Sequence, residues 1–378
     1  MNTLQIVDQG VVFEGKEGTD CQSATFPGVV VLSNGTWMCT FRAAPRKSEL
    51  AGQRVLLTRS TDNGQTWSEP MGCFSPPRLR QQPGTFRTGY LTECGEDVLI
   101  AVLCWVDQSN PSLPFFNEDT EGLLETRIFL SRSSDGGASW SNPDLIETPP
   151  WTCPTPITGP ILNFGNGTLG CQFELNKGYD DPVPWSHKSV IQISSDRGLY
   201  WPETRIVSAD PEDRVFFWDQ RPSVFESGRI LDLFWTFDRD SGTYLSIHAC
   251  ESLDYGVTWS AMWDTGVSGQ PAPAVELSNG ILAMAYMERT GVPTLKVRMS
   301  SDRGRTWPAE SEVILFTSSE SPLGSKAKDM NEAWSEMSAF SMGLPATAKV
   351  SNNEFVTVFY AGPQTDCTGI RWIKCKLD

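Results

Sequence analysis

Ser60-Thr-Asp62-Asn-Gly64-Gln-Thr-Trp67 is the first of five copies of the pattern Ser-x-Asp-x-Gly-x-x-Trp; the others run Ser133 to Trp140, Ser194 to Trp201, Ser252 to Trp259 and Ser300 to Trp307. Fixed internal spacing kept over five copies marks a repeat architecture. Each residue type meets a local need. The Asp carboxylate accepts hydrogen bonds from backbone N–H groups that follow it, the Gly admits positive φ, and the Trp clamps the turn onto apolar neighbours. A carboxylate spent on its own turn is poorly placed for chemistry, so Asp62, Asp135, Asp196, Asp254 and Asp302 are read as structural.

Before every box runs a stretch of period two, such as Arg54 to Arg59, Arg127 to Arg132 or Leu295 to Met299, which predicts a strand. Earlier in each unit comes a strand–turn–strand phrase with a Gly in its turn, as at Gly35, Gly167, Gly228 and Gly280. About four short antiparallel strands per unit of roughly 50–70 residues describe a propeller blade. Residues 343–376 supply three more strands, and Leu4 to Val12 supplies the natural fourth. The expectation is one all-β domain over residues 1–378, a propeller of six four-stranded blades with the last closed by the N-terminal strand. The one helix candidate is Lys326 to Trp334.

Composition narrows the partners. A net charge of −16 argues against nucleic acid and anionic membranes, which select concentrated Lys and Arg, and any anionic ligand would need a local Arg cluster. The ten cysteines show no Cys-x-x-Cys spacing and read as free thiols. With only His187 and His248, neither a His-based metal centre nor a Ser-His-Asp triad is expected, and no cofactor is implied. No basic stretch followed by an apolar run opens the chain and no apolar run is long enough to span a membrane, from which a cytoplasmic location is expected.

Five boxes of this form, each closing a four-stranded unit, resemble the Asp-box repeats of the sialidase (neuraminidase) superfamily. The resemblance covers almost the whole chain and implies a six-bladed propeller with a glycoside or oligosaccharide substrate. Sialidases hold the substrate carboxylate with three arginines and use an Asp acid/base and a Tyr nucleophile paired with a Glu. Here Thr25-Phe26-Pro27 stands where the family's first arginine is expected, and Phe340 where its tyrosine is. Arg289 matches the third arginine, Arg239 the second more loosely, and Glu49 occupies the loop of the acid/base.

In a propeller, residues at the entry ends of the inner strands and in the loops after the second strands share one axial funnel. Those positions give Glu49, Asp219 and Glu288 as candidate catalytic carboxylates. They give Arg42, Arg46, Arg87, Trp105, Gln220, Arg221, Arg239, Gln270 and Arg289 as candidate substrate contacts. Guanidinium groups grip carboxylates in bidentate fashion, which favours a sialic or uronic acid. Three readings stay open: a sialidase-like hydrolase of a terminal acidic sugar, a neutral-sugar exo-glycosidase or uronate lyase on the same propeller, and a carbohydrate-binding propeller without catalysis. In the lyase case the base would be a Tyr, Lys or His beside a carboxylate-binding Arg.

Overall fold

The computed structural model describes residues 3–318 and 329–378. The boxes fold as their residue types require. In the first, Ser60 Oγ donates to Asp62 Oδ1 at 2.8 Å and accepts from the Gly64 N–H at 2.8 Å. Asp62 also accepts from the Thr66 N–H at 2.9 Å, and Trp67 Nε1 donates to the Gly64 carbonyl at 3.1 Å. Gly64 sits at φ 87° directly after Asn63 at φ 57°, and the same left-handed pair recurs at Arg197–Gly198, Tyr255–Gly256 and Arg303–Gly304. Two successive residues in that region are what the Asp side chain pins and the Gly permits.

The strands between boxes pair antiparallel into sheets whose inner faces are Leu, Ile, Val, Phe and Trp. Four sheets stand by themselves. One joins Gly84–Gly95, Val98–Asp107, Thr126–Ser133 and Asp144–Ile146; another joins Leu162–Asn163, Leu169–Leu175, Lys188–Ser194 and Glu203–Ala209. The third holds Val215–Val224, Ile230–Asp238, Ser246–Ser252 and Trp263–Ser268, with the short Thr243–Tyr244 at its end. The fourth holds Gln270–Pro271, Leu282–Glu288, Thr294–Ser300 and Val313–Thr317, with Val275–Glu276 completing its inner edge.

The expectation of six separate four-stranded blades is corrected by this hydrogen bonding. Strands from the two ends of the chain form a single seven-stranded sheet: Met342–Lys349, Glu354–Gln364, Cys367–Leu377, Ser23–Val31, Trp37–Ala44 and Arg54–Ser60, with Leu4–Phe13 paired along Cys367–Leu377. A parallel bridge between Ser23 and Thr368 fuses what the repeat spacing had separated. The Thr368 hydroxyl reinforces it, accepting from the Ala24 N–H at 3.1 Å and donating to the Ala24 carbonyl at 2.7 Å. Beyond the first box the outer edge is only a bridge, Leu57 to Met71, instead of a fourth strand. The propeller therefore has four self-contained blades and one fused sheet that joins its ends. Repeat counting sees turns, whereas sheet membership is decided by which backbone groups find partners.

Two additions lie over one mouth of the ring. A hairpin, Phe116–Asn117 with Gly122–Leu123, meets the helix Met330–Ala339, where the Phe116 and Trp334 rings stack 4.6 Å apart. Asp329 caps the helix by accepting from the Glu332 N–H at 2.9 Å. Of the sequence-expected helix, residues 326–328 lie outside the described residues, and the helix continues past Trp334 to Ala339. All ten cysteines are free thiols. Among the described residues no helix is long and apolar enough to cross a membrane.

Candidate functional site

A cavity of about 430 Å³ opens at the mouth covered by the hairpin and helix. Its floor comes from a device repeated along the inner strands. Ser23–Val31, Gly84–Gly95, Val215–Val224 and Met342–Lys349 each carry a register shift near their entry ends. The shifts leave Phe26–Pro27, Arg87, Asp219–Gln220 and Leu344–Pro345 out of register, and of these Phe26, Arg87, Asp219 and Leu344 line the cavity. Phe26, Asp219 and Leu344 stand at φ 52°, 51° and 49°, a region costly for non-Gly residues. A bulge re-aims a side chain that regular pleating would bury in the sheet, and here it turns these residues toward the axis.

Asp219 is the carboxylate so presented. Its Oδ2 accepts from Gln270 Nε2 at 2.5 Å, its Oδ1 lies 3.6 Å from Arg221 Nη2, and its backbone N–H donates to Glu174 Oε1. Glu174 is buried and backed in turn by His187, whose Nε2 is 3.5 Å from Glu174 Oε2. Glu174 thus holds the strained Asp219 backbone in place.

Four cationic side chains face the same space: Lys47, Arg87, Arg221 and Arg289. Arg289 is buried, with its guanidinium 4.1 Å from the Phe340 ring centre and 5.8 Å from that of Trp235, and Nη2 donates to the Met342 carbonyl at 3.2 Å. Its Nε finds no partner among the described residues. Arg87 lies between the Phe26 and Phe115 rings, at 5.0 and 4.3 Å, with no ion pair or hydrogen bond among the described residues. Burial lowers its pKa to about 10, leaving it cationic at neutral pH. Desolvated guanidinium groups with unused donors are a receptor for a carboxylate. A local cationic field of this kind operates within a chain of net charge −16.

Lys47 belongs to the loop after Trp37–Ala44. Arg42 builds that loop from inside: its Nε donates to Gln53 Oε1 at 2.5 Å, Nη1 to the Lys47 carbonyl at 3.0 Å, and Nη2 to the Glu49 carbonyl. Asp366 fixes the loop from the other side, accepting from the Lys47 N–H at 2.9 Å. The Lys47 ammonium then reaches the helix end, donating to the Met337 carbonyl at 2.7 Å and that of Phe340 at 2.5 Å, with Tyr360 Oη at 3.3 Å. Burial, then the nearby Arg289, Arg87 and Arg42, pulls its pKa well below that of an ordinary lysine.

Of the residues expected from sequence, Arg87, Asp219, Arg221, Gln270 and Arg289 line the cavity. The others lie elsewhere. Glu49 contributes its backbone carbonyl to the Arg42 network and is not on the cavity wall, and Arg46 is exposed on the same loop. Glu288 pairs with Lys296 at 2.6 Å, away from the cavity, because neighbours on a strand point to opposite faces and Arg289 takes the inner one. Gln220 is likewise turned away between Asp219 and Arg221, and its amide donates to the Phe173 and Val190 carbonyls. Trp105 is core, fully buried with Nε1 donating to the Pro77 carbonyl at 2.9 Å. Arg239 pairs with Glu121 at 2.8 Å and ties down the hairpin.

Sequence reasoning passed over Lys47 and Tyr360. Tyr360 lies inside Glu354–Gln364, the second strand of the last unit, whereas Arg289 follows the end of Leu282–Glu288, so a rule that looks to the loops after the second strands does not reach Tyr360. Lys47 carried no signal of its own either, since three charged residues share its loop and only tertiary packing selects among them.

Fold and cavity together define an Asp-box propeller with a cation-lined axial pocket. The model of the BNR repeat-like domain matches residues 105–325, more than half of the chain, and the chain belongs to that family. A sialidase of Micromonospora viridifaciens is 25% identical over 200 residues, covering 48% of this chain and 31% of that protein, so the chain spans about a third of this relative's length. Among solved structures, a protein of unknown function from Dyadobacter fermentans superposes with a TM-score of 0.76 at 19% identity over 99% of both chains. Hadza microbial sialidase Hz136 gives 0.67 at 15% identity, over 94% of this chain and 66% of that one. The intramolecular trans-sialidase from Ruminococcus gnavus gives 0.61 at 12%, over 97% and 96%. At these identities the structural likeness is one of fold.

Proposed function

We infer that this protein is a glycan-degrading enzyme that binds a terminal acidic sugar and hydrolyses its glycosidic bond. The observation that carries this reading is the convergence of Arg87, Arg221, Arg289 and Asp219 on one cavity of about 430 Å³. A sugar carboxylate between Arg87 and Arg289 would complete their unused donors. The ring would lie against the Trp235, Phe340 and Trp334 walls, and Asp219 would face the scissile oxygen as the proton-transferring group. Its bond from Gln270 and its held backbone set the carboxylate direction before substrate arrives, which is where positional catalysis gains its rate. Kinship with a sialidase supports a sialic or uronic acid over a neutral sugar.

A fluorogenic sialoside assayed beside uronosides and arabinosides tests the reading, with Asp219→Asn and Glu49→Gln in parallel. Cleavage confined to acidic glycosides and abolished by Asp219→Asn is the expected result. Loss on Glu49→Gln with Asp219→Asn still active would return the acid role to the Glu49 loop. Ligand binding with no turnover on any glycoside would make this a carbohydrate-binding propeller.

A further inference from the structure

The cavity is cationic in its depth and acidic where the hairpin covers it. Three carboxylates line it, and two are engaged: Asp219 accepts from Gln270 beside Arg221, and Glu174 holds the Asp219 N–H and faces His187. The third is Glu118, in the turn that joins Phe116–Asn117 to Gly122–Leu123. It is exposed, and its carboxylate makes no ion pair or hydrogen bond among the described residues. Both of its oxygens are therefore left to solvent or to a ligand.

The turn that carries Glu118 is held from several sides. Asn117 Nδ2 and Thr120 Oγ1 both donate to the Tyr179 carbonyl, at 2.9 and 2.5 Å, and the Leu123 N–H donates to the Lys177 carbonyl at 3.0 Å. Gly122 packs so closely on Gly178 that a Cβ would overlap the Gly178 carbonyl oxygen. From the helix, Asn331 Nδ2 donates to the Glu118 carbonyl at 3.0 Å. The main chain at Glu118 is thus fixed, and a charge brought close to it cannot be avoided by moving the turn.

The neighbouring cations do not neutralise it. Arg239 is paired with Glu121, Lys177 Nζ donates to the Val183 carbonyl at 2.6 Å, and Arg46 is not on the cavity wall. Asp119 and Asp180 add to the negative side, since after burial their charges are what raise the Tyr179 pKa. A sugar whose carboxylate meets Arg87 and Arg289 must send its linked sugar outward past this turn. An anionic group there faces an unpaired like charge, which is how a site rejects a wrong partner.

We propose that Glu118 is a specificity-determining residue that rejects glycans whose second sugar is anionic, so that the substrates are single acidic sugars capping an uncharged or amine-bearing sugar. This deepens the functional reading above and rests on its acidic-sugar part. The cavity depth selects for one negative charge, and the hairpin selects against the next.

The test uses sialic acid and glucuronate, each linked to galactose, galactosamine or galacturonate, with kcat/KM measured for wild type, Glu118→Gln and Glu118→Lys. Wild type should favour the galactosamine and galactose compounds over the galacturonate one. Glu118→Gln should shrink that preference roughly 2- to 5-fold, the range expected of an exposed charge, and Glu118→Lys should reverse it. The wild-type preference should also weaken as added salt screens the mouth. A preference unchanged in both variants overturns the proposal. So does an equal loss of rate on all three linked sugars, which would make Glu118 part of the chemistry. If nothing is hydrolysed but the disaccharides bind, the same preference is read from calorimetric dissociation constants, and the hydrolytic reading falls alone. If neither acidic sugar binds, both fall.

Discussion

Gly343→Ala separates the integrity of the fold from the integrity of the site. Gly343 has ordinary negative φ, so alanine meets no backbone strain there, and the effect of the change is steric. The new methyl would collide with the end of the Arg289 side chain and press on Tyr360 Oη at 3.1 Å. The far end of a side chain can move where backbone cannot, so the cost to stability should sit at the low end of overpacking, about 1 kcal/mol. The guanidinium, however, is wedged between the Phe340 and Trp235 rings and can yield only by leaving its place. A misplaced Arg289 forfeits a charge-assisted hydrogen bond to an anionic ligand, roughly 1.5–3 kcal/mol, or about 10- to 150-fold in affinity. Denaturant unfolding and titration calorimetry with sialic acid and glucuronate measure the two quantities on the same sample. Wild-type affinity in Gly343→Ala would refute the placement of Arg289 as a carboxylate ligand. A stability loss of several kcal/mol would refute the claim that the glycine serves the site more than the fold.

Three further outcomes follow from charges in the structure. Arg87→Met removes a cation that has no ion-pair partner among the described residues, so acidic-sugar affinity should fall at least ~10-fold in calorimetry while the melting temperature holds or rises. Asp62 is held at about 2, chiefly by the Thr66 hydroxyl, and Asp135 at about 2 by that of Ser139, against an ordinary 3.8. A depressed folded pKa means that their stabilisation is complete above 3.8 and disappears as pH falls through about 2, so melting temperatures of Asp62→Ala and Asp135→Ala should converge on wild type in that window. Asp232 runs the other way: burial raises its pKa well above 3.8, so the folded state binds the extra proton and loses stability as pH rises from there. Asp232→Asn carries no such penalty, and its stability relative to wild type should grow from acid to neutral pH; a constant difference across pH would show that Asp232 is ionised in the fold.

The sequence determined what is local. Boxes such as Ser60 to Trp67 specify their own turns, because the groups that satisfy the turn lie within eight residues of one another. Period-two stretches specified the strands, and the positions flanking them placed Arg87, Asp219, Arg221, Gln270 and Arg289 on a common wall. Strand alternation was equally available in the sequence, and it is what separates Arg289 from Glu288 and Arg221 from Gln220.

Tertiary structure decided what depends on partners far along the chain. Whether the first and last units remain separate sheets turns on one bridge between Ser23 and Thr368, which no repeat spacing encodes. Which charge of the Arg46–Glu49 loop enters the cavity turns on Arg42 gripping that loop from below and on helix carbonyls waiting for Lys47. The meeting of Lys47 with Tyr360 spans |i−j| = 313 in sequence and exists only because the ring closes. Hydrogen bonding within a turn is a property of the segment, whereas desolvation and opposition across a cavity are properties of the whole fold.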